Sequence, residues 1–204
     1  VIPGDGIGIE VTREAVLAVR EAVGAAGREI AFEEFPYGAD HFLKTGETLP
    51  QSGFDRLQGF DAILLGALGD PRVPDNRHAA DILLGLRFRL DLYVNHRPVR
   101  LLDERQCPLK GRTAEDVDFV IFRENTEGLY AGVGGFFKKG TPDEVAVQQD
   151  INTHKGVERI IRHAFAWARA NRRTRVLMSD KSNALTYGHD LWQRVFKEVA
   201  AEYP

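Results

Sequence analysis

The chain has 204 residues, 43% hydrophobic and 9% aromatic, enough apolar material for one large domain or two modest ones, which excludes a disordered or fibrous protein. A formal net charge of -3 with 28% charged residues leaves no overall basic field to attract nucleic acid or an anionic membrane surface, so small-molecule chemistry is expected. Cys107 is the one cysteine, which excludes an internal disulfide and a multi-cysteine zinc site; with no run near the ~18 to 20 apolar residues that span a bilayer, a soluble cytoplasmic protein is expected.

In chain order, Val1-Ile2-Pro3-Gly4 reads as the end of a strand, and both termini read as cut, because residue 1 is not Met and Pro204 follows a helical run with no closing element. After Gly8, residues Ile9, Val16, Val19 and Val23 recur at helical spacing, and Gly24 and Gly27 supply the stop. Ile30 to Phe35 alternates as a strand, Pro50-Gln51-Ser52 opens a short helix, and Ala62-Ile63-Leu64-Leu65, bounded by Gly66, suits a strand buried on both faces. Asp81 to Phe88 predicts a helix, and Asp91 to Asn95 a strand ending at Arg97-Pro98. This interleaving makes residues 1–98 a first α/β domain. A second α/β domain over 99–204 contains a strand at Phe119 to Phe122, a hairpin including Val145-Ala146-Val147 and a helix from Lys155 to Asn171. A strand at Thr174 to Met178 and a helix from Leu191 to Tyr203 complete it.

Gly4-Asp5-Gly6-Ile7-Gly8 invites a dinucleotide-binding reading, because backbone N–H groups at a helix start bind phosphate. The third glycine comes one residue early for G-x-G-x-x-G, and no acidic residue closes a following strand at the expected distance, which favours a tight structural turn.

Arg87, Arg97 and Arg123 are each expected where a helix or strand ends, the usual place for ligand sites in α/β proteins. A guanidinium fork holds a carboxylate by two hydrogen bonds, so converging arginines suit a di- or trianionic substrate, whereas any one alone reads as an ordinary solvated arginine. The polar run Arg123-Glu124-Asn125-Thr126-Glu127-Gly128-Leu129-Tyr130 follows a buried strand and points to a wet cleft or a hydrogen-bond network; Tyr130 could donate a proton or simply pack. Ser179-Asp180-Lys181-Ser182-Asn183 places Lys181 at another strand end. A cation ~6 Å away at an effective dielectric of about 20 would lower a lysine pKa by about two, making it a usable base.

Four stretches in family order, Ile2-Pro3-Gly4-Asp5-Gly6-Ile7-Gly8, Leu86 through Pro98, Arg123 through Tyr130 and Asp180-Lys181-Ser182-Asn183, resemble the β-decarboxylating dehydrogenases that act on isopropylmalate, isocitrate, homoisocitrate and tartrate or D-malate. The resemblance implies an α/β, two-domain, non-Rossmann fold of the isopropylmalate-dehydrogenase kind, here an N-terminal fragment. It implies that Arg87, Arg97 and Arg123 bind substrate carboxylates, that Tyr130 protonates the carbon left after decarboxylation, and that Lys181 assists removal of the hydroxyl proton. Leu83, Leu84 and Ala80 would face the variable part of the substrate, while Asp70, Ala80 and Asn183 would lie beside NAD. Mg2+ or Mn2+ is implied, with its ligands beyond Pro204, as is a homodimer with shared sites and a dimer-forming hairpin. Two leucines suit an isopropyl group, yet Val73-Pro74-Asp75-Asn76, Val133-Gly134-Gly135 and Gln148-Gln149 look more like the tartrate/D-malate branch, and Asp70 replaces a glycine common in relatives. Rival readings are a noncatalytic regulatory subunit of the same fold, against which Tyr130 and Lys181 speak, and a carboxylate-binding module without redox chemistry.

Overall fold

The computed structural model describes residues 1–203, with Pro204 outside them. The chain forms two α/β units, Val1–Leu90 and Asp91–Pro204. The boundary expected after residue 98 therefore moves to Leu90/Asp91. Its cause is pairing: the strand containing Arg97 and Pro98 hydrogen-bonds to a strand of the second unit.

In the first unit, β1 (Ile2–Gly4) runs parallel to β2 (Leu65–Ala67), with Ile2 opposite Leu65 and Gly4 opposite Ala67. Helix α1 (Ile7–Ala25) leaves β1 through the glycine turn and returns onto this pair at backbone distance. A Cβ on Gly8 would stand 2.5 Å from the Pro3 carbonyl oxygen and 2.6 Å from that of Ala67. Gly4, at φ +79°, would put one 2.0 Å from the Ala67 carbonyl oxygen. Close packing, rather than a phosphate, accounts for this glycine spacing. Short helices α2 (Ala39–Thr45) and α3 (Gln51–Leu57) follow. The chain from Arg77 to Arg89 is helical in three pieces: α4 (Arg77–Ala80), a π-helical turn (Asp81–Gly85) and α5 (Leu86–Arg89). Ile82 and Leu86 from this segment join Ile2, Phe35, Tyr37, Leu49, Phe54 and Leu57 in the core.

Three expectations for this unit differ from the structure. The strand expected at Ala62 to Leu65, buried on both faces, lies instead at Leu65–Ala67 and is only partly buried, with Ala67 exposed. Ile30 to Phe35 forms no strand; the segment is tied only near its end, where Val1 donates its amino group to the Glu33 carbonyl at 2.7 Å and Phe35 N–H donates to the Val1 carbonyl at 2.8 Å. The apolar positions of α1 do not form a buried face either. Gly8 and Thr12 are its buried residues, while Ile9 and Val19 are exposed.

The second unit is built on β3 (Val94–Arg100) and β4 (Asp118–Glu124), antiparallel from Val94↔Glu124 to Arg100↔Asp118. Side chains alternate across such a ladder. Val94 and Phe122 pack into a core with Val157, Ile160 and Ile161 of α6 (His154–Ala170) and Val195 and Val199 of α7 (Gly188–Ala200). Thr153 caps α6, its hydroxyl accepting from Gly156 N–H at 3.0 Å. A hairpin of β5 (Gly134–Phe137) and β6 (Val145–Gln148) stands exposed along its whole length. The strand expected at Thr174 to Met178 is absent among the described residues, and Leu177 within it is exposed. No described helix is long and apolar enough to cross a membrane.

Candidate functional site

Cross-strand register places the second unit's candidate residues. Asn95 lies opposite Arg123, and Arg97 opposite Ile121, so both arginines share the ladder face turned away from Val94 and Phe122. Arg97 therefore stands within β3 instead of closing it, and the strands here are antiparallel. Two asparagines stand between the guanidinium groups. Arg97 Nε donates to Asn95 Oδ1 at 2.8 Å, Asn95 Nδ2 to Asn125 Oδ1 at 3.1 Å, and Arg123 Nη2 to the same oxygen at 3.5 Å. Asn125 is buried and donates its own Nδ2 to the Leu92 carbonyl at 3.0 Å. The Arg123 guanidinium also lies 5.6 Å from the centre of the Tyr130 ring. Arg97, Arg123 and Tyr130 thus belong to one polar neighbourhood.

The rest of the polar run is a network that holds its own loop. Glu124 accepts from the backbone N–H groups of Thr126 and Glu127 and from the Thr126 hydroxyl, all within 2.8 Å. Arg159 of α6 reaches Glu124, Thr126 and Asp91. Glu127 accepts from the backbone and hydroxyl of Thr153 and fills the space where a Cβ on Gly156 would sit. These bonds fix the chain between Arg123 and Tyr130 and pair the carboxylates of Glu124 and Glu127, while the buried Arg159 Nε has no partner among the described residues.

Lys181 and Asn183 are both exposed, on the segment after Met178. Lys181 N–H donates to His189 Nδ1 at 2.7 Å, and no ion pair of its ammonium group occurs among the described residues. The neighbouring Asp180 accepts from Gln193 Nε2 at 2.6 Å and from Ser182 N–H at 3.2 Å, bonds that hold its pKa below the ordinary value.

In the first unit the glycine turn surrounds a carboxylate. Asp5, buried, accepts from Ala39 N–H at 2.6 Å, from Gly69 N–H at 2.9 Å and from the ring of His78 at 2.8 Å. Sequence reasoning missed both Asp5 and the fully buried His78. Arg87 is half-buried on α5, Leu83 and Leu84 are half-buried in the π-helical turn, and Ala80 is exposed at the end of α4. Asp70 is engaged by Arg72 through its backbone and guanidinium, and this pairing lowers the Asp70 pKa to about 2. An open hollow of about 560 Å3 borders Val1, Pro3, Ile9, Thr12, Arg13 and Leu17 and includes none of the expected site residues.

Neither implied cofactor finds a complete seat in these residues. Among the described residues no three His, Cys, Asp or Glu side chains come together as a cation site. The turn that could have cradled phosphate holds its own anion, Asp5.

Residues 1–204 match the family described as isocitrate/isopropylmalate dehydrogenase. The chain is 47% identical to a 3-isopropylmalate dehydrogenase of Thermobifida fusca and 48% identical to one of Streptomyces coelicolor, in each case over all of this chain and 58% of the relative. It therefore spans about three fifths of the length of these relatives. A crystal structure of isocitrate dehydrogenase from Methylococcus capsulatus is similar over the whole chain and 56% of its own, with a TM-score of 0.82 at 33% identity.

Proposed function

We propose, because this chain belongs to the isocitrate/isopropylmalate dehydrogenase family, that the protein containing it oxidises and β-decarboxylates a malate-type 2-hydroxy dicarboxylate, with 3-isopropylmalate as the substrate. The observation carrying this reading is the placement of Arg97 and Arg123 on one face of the β3–β4 ladder, linked through Asn95 and Asn125. Two fixed guanidinium groups suit a small dianion, each able to hold a carboxylate by paired N–H donors. The names of the relatives favour the isopropyl-bearing substrate over tartrate or D-malate.

NAD and a divalent Mg2+ or Mn2+ ion belong to this reading, as hydride acceptor and as the source of positive charge beside the reacting oxygens. The described residues complete no site for either; the chain's own groups bind the substrate and move its protons. Arg97 and Arg123 bind and orient the carboxylates. Lys181 takes the hydroxyl proton as the carbon is oxidised. After carbon dioxide leaves, Tyr130 returns a proton to the carbon that bore the lost carboxylate. Arg87 in the first unit is a further candidate for carboxylate binding, and Leu83 and Leu84 are candidates for the apolar substituent. Asp70, Ala80 and Asn183 are the candidate cofactor contacts, with the Asp70 carboxylate already engaged by Arg72. A homodimer, formed through the exposed β5–β6 hairpin, is part of the same proposal.

The test is NAD reduction by the full-length protein with Mn2+ or Mg2+ and 3-isopropylmalate, D-malate, tartrate or isocitrate. The highest kcat/KM is expected with 3-isopropylmalate. Lys181→Met should lower kcat by at least about 100-fold, and Tyr130→Phe should slow the late proton transfer by a similar factor. Absence of turnover with all four acids rejects the reading in favour of a carboxylate-binding module.

A further inference from the structure

We infer that Asn95 and Asn125 are positioning residues: they hold Arg97 and Arg123 as a pair, pre-set for the two carboxylates of one small dianion. The inference rests on the reading of these arginines as carboxylate ligands. Its basis is a continuous chain of hydrogen bonds running from backbone to guanidinium. The Leu92 carbonyl anchors buried Asn125 at 3.0 Å, Asn125 Oδ1 accepts from Asn95 Nδ2 at 3.1 Å, and Asn95 Oδ1 accepts from Arg97 Nε at 2.8 Å. The same Asn125 oxygen receives Arg123 Nη2 at 3.5 Å, so one amide oxygen is common to both arms.

Each bond has a defined effect on binding. An arginine on an exposed strand face is free to explore many rotamers and loses that freedom when it takes up a carboxylate. Engaging Nε beforehand removes part of that loss and leaves both terminal nitrogens of Arg97 for the ligand. The acceptor is also uncharged. An amide restrains the guanidinium without neutralising it, whereas a carboxylate in its place would compete with the substrate as an ion pair. Asparagine donates and accepts at once, so it can relay between two cations without adding a charge of its own. Asn125 is tied to the backbone and Asn95 lies opposite Arg123 in the ladder, so the separation of the two cationic heads is set by strand register.

The test compares Asn95→Ala, Asn95→Asp, Arg97→Lys and the Asn95→Ala/Arg97→Lys double variant of the full-length protein, in NAD reduction with 3-isopropylmalate and Mn2+. Asn95→Ala is expected to raise KM about tenfold with kcat within about twofold, a loss of about 1.4 kcal/mol in binding. Asn95→Asp, of unchanged size, is expected to raise KM further. In the Arg97→Lys background the alanine substitution should change KM by less than about twofold, because its partner nitrogen is already gone. Should Asn95→Ala fail to fold, Asn95→Ser, too short to reach Arg97, is expected to give the same rise. An unchanged KM in the folded variant, or the same rise in both backgrounds, overturns the positioning role while leaving the proposed reaction intact. Failure of the wild-type protein to turn over any dicarboxylate overturns both.

Discussion

Asp5 shows how one buried side chain can organise several segments. Its carboxylate receives donors from Ala39, Gly69 and His78, and so ties the glycine turn to the start of α2, to the loop before Asp70 and to α4. Removing the acceptor would leave two buried donors, Ala39 N–H and the His78 ring, and the part-buried Gly69 N–H without their partner. Asp5→Ala should therefore destabilise the full-length protein by about 3 to 5 kcal/mol. Urea denaturation measures this, and a change below about 1 kcal/mol would refute the hub. The residues that make this hub were hard to read from sequence because they are 34, 64 and 73 positions from Asp5. Glycines around it were visible, but only the folded chain shows that they admit neighbouring backbone rather than a ligand. Arg97, Arg123 and Tyr130 were legible because they lie in dense local motifs. Their amide partners were less so: Asn95 and Asn125 stood in the same stretches, yet their relay depends on a strand pairing that no local pattern encodes.

At the level of elements, the range of the interactions decided what could be read. The periodicity of Lys155 to Asn171 matches α6 closely, since a helix satisfies its backbone within itself. Thr174 to Met178 has strand composition, but a strand exists only with a partner, and none pairs with it among the described residues. Helix α6 also carries a group sensitive to pH. His163 packs its ring against Phe122 at 5.0 Å and Tyr93 at 6.4 Å, and burial, with a smaller contribution from His96, pushes its pKa below the ordinary 6.5. An unfolded chain takes up this proton near pH 6.5, while the folded one resists it. The stabilising effect of neutral His163 is therefore complete above pH 6.5 and declines as pH falls toward the lowered value. His163→Phe should flatten the stability-pH curve just below pH 6.5 in thermal melts of the full-length protein. An unaltered slope would mean that other groups dominate that range.

For the whole molecule, the two units have separate cores and the β5–β6 hairpin has none. Phe136 is 61% exposed and Phe137 65%, with Val145 opposite Phe137 and Val147 opposite Gly135 each about half exposed. An apolar hairpin of this kind is costly in water and suits burial against another protein surface. If that surface is a second copy, Phe136→Asp/Phe137→Asp should convert the full-length dimer to monomer in light scattering at micromolar concentration. A dimer of undiminished strength would place the subunit contact elsewhere. The hairpin was legible as an element, and the resemblance gave it a dimer-forming role; the exposure of both phenylalanines emerges only from the folded chain.

Because the guanidinium groups share a face only through the pairing of Val94–Arg100 with Asp118–Glu124, length changes should be tolerated very unevenly along this part of the chain. Extra residues between positions 101 and 117 lengthen a connection at small entropic cost. Losing His96, between Asn95 and Arg97, would shift the frame by one step and turn Arg97 toward the helices. Natural variation in this region should therefore accumulate in the connection and spare the count of residues within each strand.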